Sequence, residues 1–185
     1  AEHLTASLDA IDERYAVQEP TQVPGLLDKI ESFVEEHLMF KTHLPVYSIQ
    51  AACGKFADGE SSEPMGWVKV GGSVRPSRNM FVVRAAGSSM EPKIKDGDFC
   101  VFKHPVAGSR QNKIVLVQHH GAADPDYGGS YTIKKYASRK SFKPDGTWEH
   151  EEILLQPLNP NYKAIVLSKE GEGEFTVVAE FVGSM

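Results

Sequence analysis

Apolar residues recur at helical spacing only near the start of the chain. Leu4, Leu8 and Ile11 fall on one face and predict a helix over residues 1–16, which Glu19-Pro20 and Val23-Pro24-Gly25 interrupt. Leu26, Ile30, Phe33, Val34 and Leu38 repeat that period and predict a second helix from about Leu26 to Leu38. Its polar face is acidic, which suits packing on a core or a partner helix rather than on a membrane. After Pro45 the pattern shortens to β-type runs separated by turns. Strands are predicted at Val46–Ile49, Trp67–Val70, Met80–Ala85, Phe99–Lys103, Lys113–His119, Tyr131–Tyr136, Glu152–Pro157, Ala164–Ser168 and Phe175–Val182. Turn chemistry sits between them at Asp96-Gly97, Gly128-Gly129, Asp145-Gly146, Asn159-Pro160 and Glu170–Gly173. Short strands without alternating helices imply a mostly β barrel or sandwich, not a parallel α/β sheet. Ala57–Glu63 is small and polar and reads as a mobile loop.

Composition narrows the function. At 185 residues with 41% hydrophobic and 24% charged side chains, the chain can bury a core of one to two domains. No run approaches the ~20 apolar residues of a membrane span, and no signal peptide is read. Two cysteines, Cys53 and Cys100, make no disulfide framework, so a cytoplasmic setting is expected. They fit no zinc spacing, and no HExxH occurs, so neither metal nor cofactor is expected. Residues 1–45 hold nine acids and three bases in a chain of net charge -5. Such an arm repels phosphate, and direct nucleic-acid binding is not expected. The organisation is therefore an acidic helical arm or linker over 1–45 and a β domain over 46–185.

Three runs carry candidate chemistry. Gly87-Ser88-Ser89-Met90-Glu91-Pro92 lies between two predicted strands and leads to Gly97-Asp98. A serine in a tight turn after a strand can present its hydroxyl at a sheet edge, with backbone N–H groups free to meet an oxyanion. In Tyr131-Thr132-Ile133-Lys134-Lys135-Tyr136, strand alternation puts Lys134 on the face of Thr132 and Tyr136, and Lys135 on the face of Ile133. A lysine forced into apolar surroundings loses its proton more easily and can act as general base toward serine. Ala51-Ala52-Cys53-Gly54 is a run of small residues that can enter a narrow cleft and bend sharply. Read singly, each run also fits a bland role: a serine-rich turn, two solvated lysines, a small-residue linker.

Taken together, the three resemble the self-cleaving serine–lysine peptidase family of LexA, UmuD and the phage repressors. The serine run looks like the family's Ser-Met motif with its following Gly-Asp, Thr132-Ile133-Lys134 like its lysine strand, and Cys53-Gly54 like its scissile bond. The order along the chain matches, and the 35 residues from Gly54 to Ser89 are close to the family's separation. Leu158-Asn159-Pro160-Asn161-Tyr162 is also similar. The resemblance covers about residues 46–185 and implies a LexA-like fold of short antiparallel strands. It makes Ser89 the nucleophile, Lys134 the general base, and the amides of Ser88 and Ser89 the oxyanion hole. Cys53 would carry the acyl group and Gly54 would become a new N-terminus. The substrate is then the chain's own cleavage segment, desolvating Lys134 as it docks. A RecA-type activator and a homodimer are implied, in a stress-responsive switch such as the SOS response to DNA damage.

Two departures stand out. His119–Ser130 is longer than the family's tight hairpin, and Ser89 stands 45 residues before Lys134, more than in LexA or UmuD. Residues 1–45 resemble neither a repressor's DNA-binding domain nor UmuD's short arm. Two alternatives are carried: a non-cleaving dimerisation or effector module of the same fold, and a soluble relative of signal peptidase, whose Ser-Met motif is similar.

Overall fold

The computed structural model describes residues 29–119, 131–168 and 175–185. The helix expected over 1–16, the start of the second expected helix, the Gly128-Gly129 and Glu170–Gly173 turns and most of the His119–Ser130 connection lie outside the described residues. The elements are β1 (Ile30–Glu31), β2 (His43–Tyr47), α1 (Ile49–Ala57), β3 (Gly66–Lys69), β4 (Met80–Arg84), β5 (Phe99–Lys103), β6 (Ile114–His119), β7 (Tyr131–Phe142), β8 (Trp148–Gln156), β9 (Ile165–Ser168) and β10 (Phe175–Ser184). The ten strands hydrogen-bond in the order β1-β3-β2-β4-β5-β10-β6-β7-β8-β9. Neighbours run antiparallel except the β2–β4 pair, which is parallel. The mostly β fold expected from the strand run is the fold the chain forms.

β10 joins the two halves of the sheet. It pairs with β5 on one side and β6 on the other, and its register shifts between Phe181 and Gly183 and between Val177 and Ala179. Bulges of this kind bend a strand and increase its twist. One apolar cluster (Tyr47, Cys53, Phe81, Met90, Phe102, Leu116, Ile133 among others) is covered by α1 and the turn before β5. A second gathers Leu44, Val46, Val82 and Val101, and a third Val115, Val117, Ile153 and Leu155.

Two local expectations are corrected. The described part of the stretch expected to be helical to Leu38 forms β1 and a single 3-10 turn at Glu36–Leu38 instead. Ile30 and Glu31 pair with Val68 and Trp67, and Gly66 lets them approach: a Cβ there would stand 2.5 Å from Ile30 Cγ2. The open edge of β3 thus satisfies this backbone, and the helical spacing is overridden by tertiary pairing. Val34 is buried while Phe33 is 76% exposed, so the two do not share a packed face.

The second correction is α1, which stands where a bend or small-residue linker was expected. Ser48 caps it by accepting the Ala51 N–H at 3.1 Å, a contact of the kind that adds ~1 kcal/mol. Phe56 then stacks on Phe81 with ring centroids 4.3 Å apart and meets Tyr47 edge-on at 6.1 Å. These aromatic contacts outweigh the ~1 kcal/mol that Gly54 costs a helix relative to alanine.

Candidate active site

The turn between β4 and β5 is fastened before it presents anything. The Ala85 N–H donates to Asp98 O at 2.7 Å and the Gly97 N–H returns to Ala85 O at 2.9 Å. Asp96 Oδ1 accepts the Gly87 N–H at 2.8 Å, and Asp98 Oδ2 accepts that of Lys95 at 2.9 Å. Gly87 and Gly97 take positive φ of 82° and 84°, which glycine adopts without penalty. Met90 and Ile94 plug the turn into the core. Ser89 is carried inward and is 3% exposed.

β7 supplies the partner. Lys134 is 3% exposed and Thr132, on the same strand face, is fully buried. Lys134 Nζ donates to Ser89 Oγ at 2.9 Å and to Thr132 Oγ1 at 2.8 Å. The alternation read from the sequence therefore holds: Thr132 and Lys134 share a face. A buried amine in hydrogen-bond contact with a serine hydroxyl can exchange a proton with it, which is the first requirement for activating that hydroxyl.

Sequence reasoning gave no role to Asn159. Its Nδ2 donates to Ser88 O at 2.9 Å. The N–H groups of Leu158 and Asn159 both donate to Ser89 O at 3.0 Å. The segment after β8 thus grips the two serine carbonyls and fixes the peptide planes on either side of Ser89. The Asn159-Pro160 turn signal marked the place, but nothing local showed what the side chain would hold. Beside Ser89 lies a cavity of about 10 Å³, lined by Ala85, Gly87, Met90, Ile94 and Ile133. That space is about one water molecule.

Cys53 and Gly54 are not brought to Ser89 as an extended segment. They lie in the middle of α1, both buried, and Cys53 shares an apolar cluster with Met90 and Ile133. Burial, and next the carboxylate of Asp58, push the Cys53 thiol up from 9.0 to about 12. Burial, and next Asp98, raise Cys100 likewise to about 12. Both thiols are therefore neutral at physiological pH and are poor nucleophiles there. Because each titrates higher in the folded chain, the stability this confers is whole below pH 9.0 and is lost as pH climbs towards about 12. Iodoacetamide at pH 8 is expected to alkylate either cysteine about 100-fold more slowly in the folded chain than in urea. Equal rates, read by mass, would show that the thiols are open to solvent.

The phenol of Tyr131, at the head of β7, is raised by burial and then by Cys53, Asp58 and Glu60. The end of α1 and the strand of Lys134 are thus electrostatic neighbours.

A mostly β fold that buries a serine against a lysine holds a side-chain pair that serine-type acyl transfer can use. Residues 45–182 match the family described as Peptidase S24-like, and the chain belongs to that family. Membership points to serine peptidase activity in general. Among curated proteins, the chain is 33% identical over 104 residues to the LexA repressor of Geobacter metallireducens, covering 56% of this chain and 42% of that protein. It is 30% identical over 109 residues to the LexA repressor of Geobacter sp. strain M21, covering 58% and 44%. The matched stretch thus spans less than half of these relatives. No helix among the described residues is long and apolar enough to cross a membrane.

Proposed function

We propose that this chain is a serine–lysine autopeptidase that cuts its own Cys53–Gly54 bond. The observation that carries this reading is the buried contact of Lys134 Nζ with Ser89 Oγ at 2.9 Å. With Lys134 as the neutral amine, Nζ takes the hydroxyl proton as Oγ attacks the Cys53 carbonyl carbon. The amides of Ser88 and Ser89 meet the oxyanion that forms. The C–N bond then breaks, the Gly54 nitrogen receives the proton from Lys134, and Cys53 is left as an ester on Ser89. Water, deprotonated by Lys134, hydrolyses that ester. Thr132 orients the amine throughout.

Lysine is ordinarily an ammonium at pH 7 and cannot accept a proton, so cleavage is slow at neutral pH and quickens as pH rises. Tethering the bond to its own catalyst leaves a conformational step, not an encounter, to set the rate. A stress signal relayed by a RecA-type activator would act on that step. The remaining proposal is a cytoplasmic homodimer without nucleic-acid contact of its own; the boundary expected at residue 45 does not set an arm apart, because Ile30–Glu31 and His43–Pro45 belong to the same sheet as the strands that follow. Intact-mass spectrometry from pH 7 to 10 tests the core of this reading. One cut, after Cys53 and faster with alkali, is expected. An acid-shifted optimum would remove Lys134 as base, and a cut elsewhere would relocate the scissile bond.

The grip on the serine turn has its own consequence. Asn159→Ala deletes the bond to Ser88 O and is expected to slow cleavage about tenfold while costing ~1 kcal/mol of stability. Thermal melts beside cleavage rates would separate the two. A rate equal to the parent's would show that the grip is not needed.

A further inference from the structure

The helix that holds Cys53–Gly54 is fastened one peptide beyond that bond. Gly54 O accepts the N–H of Asp58 at 3.2 Å and that of Glu60 at 2.9 Å. Gly59, at φ +72°, turns the chain back so that Glu60 can reach. The Glu60 side chain then lies over the Gly54 Cα: a Cβ at Gly54 would stand 2.5 Å from Glu60 Oε2. Outer ties continue the fastening, with Lys55 Nζ donating to Ser62 O at 3.4 Å and Gln118 Nε2 donating to Asp58 Oδ2 at 3.4 Å.

A carbonyl inside such a helix is not open to a nucleophile. Acyl transfer needs the carbonyl carbon within reach of the attacking oxygen and its oxygen directed at oxyanion donors. Cys53 is fully buried, and the carbonyl of its neighbour Gly54 is doubly engaged. The segment must therefore unwind before Ser89 can act, and whatever holds Gly54 in the helix opposes the reaction.

We propose that Glu60, delivered by the Gly59 turn, clasps Gly54 in the helical form and sets the rate of self-cleavage as a positioning residue. The proposal rests on the autopeptidase reading above. A Cβ at Gly54 would displace the end of the Glu60 side chain, so glycine there leaves that contact in place. The clasp is what an activator must undo. A ligand that binds the unwound segment in preference to the clasped one shifts the balance by its differential affinity alone.

Two variants loosen the clasp by different means. Glu60→Ala removes the side chain from Gly54. Gly59→Ala touches nothing, since a Cβ there has no atom within 4 Å, but it strains the left-handed turn. Glu60→Gln keeps shape and reach. Intact-mass time courses at pH 7.5 and 9.5 are expected to show Glu60→Ala and Gly59→Ala cleaving about five- to tenfold faster than the parent. Glu60→Gln should stay within about twofold of the parent. Hydrogen exchange on the same variants carrying Ser89→Ala is expected to show earlier exchange at the Asp58 and Glu60 amides in the two loosened chains. Cleavage of the parent after Cys53 with neither variant faster would overturn the clasp alone. Absence of a cut in every chain, with those amides loosened, would discard the autopeptidase reading and the clasp with it.

Discussion

Ser89→Ala is expected to abolish the cut after Cys53, a loss of about 10³-fold or more at every pH. The substitution removes one oxygen atom and little else. Met90 and Ile94 still plug the turn into the core, and the carbonyl of residue 89 still accepts the two amide bonds from residues 158 and 159. The fold should survive, with a melting temperature within a few degrees of the parent's. Ser88→Ala is the companion: it removes the neighbouring hydroxyl but leaves both amides, so it should cleave at close to the parent rate. If Ser88→Ala were dead and Ser89→Ala active, the nucleophile would be displaced by one residue. Cleavage in both would mean that neither hydroxyl attacks. Mass spectrometry distinguishes the cases directly.

The sheet was legible where burial and turn chemistry agree. Phe99–Lys103 is a strand with the same limits in sequence and structure, because an Asp-Gly turn precedes it and Phe99–Phe102 are all buried. β7 was read as ending at Tyr136 but runs to Phe142. Its second half is held by pairing rather than by burial: Ser138 lies opposite Ile153 and Arg139 opposite Glu152, and the guanidinium and carboxylate join at 2.5 Å. An apolar-run criterion cannot see a strand whose partners are mostly polar and exposed. β1 fails for a related reason, since two residues become a strand only where another edge receives them. α1 was missed because Ala51, Ala52, Cys53 and Gly54 look like a linker, while the residue that anchors the helix, Phe56, finds Phe81 only in three dimensions.

The site divides along the same line. That Thr132 and Lys134 share a face follows from strand alternation alone. The meeting of Ser89 with Lys134 across 45 residues does not, because their spacing encodes no geometry. It was reached through the order of three motifs, each weak when read singly. The contacts of Asn159 and Glu60 lay beyond either route: the run around Asn159 was marked by resemblance, but nothing local showed that its side chain would hold Ser88 O or that the Glu60 N–H would reach Gly54 O.

The lysine separates function from stability. Lys134→Met replaces a buried amine with an apolar chain of similar length at a position 3% exposed. It should lower cleavage about 10³-fold, since no base remains for Ser89. Yet it is expected to leave the melting temperature unchanged or higher. Removing an ionisable group from an interior in favour of a well-packed apolar one is often neutral or stabilising. On the autopeptidase reading, that outcome would mean the site gives up stability for reactivity. Lys134→Arg is the sharper probe of mechanism: it keeps a cation and its donors, but a guanidinium does not lose its proton. An inactive Arg variant would show that deprotonation, and not charge, is what Lys134 contributes. An active one would overturn the base assignment while leaving Ser89 in place. Melts recorded beside the cleavage rates keep loss of chemistry distinct from loss of fold. A Met variant that is both dead and markedly less stable would mean that the Lys134 contacts to Ser89 and Thr132 hold the site together structurally.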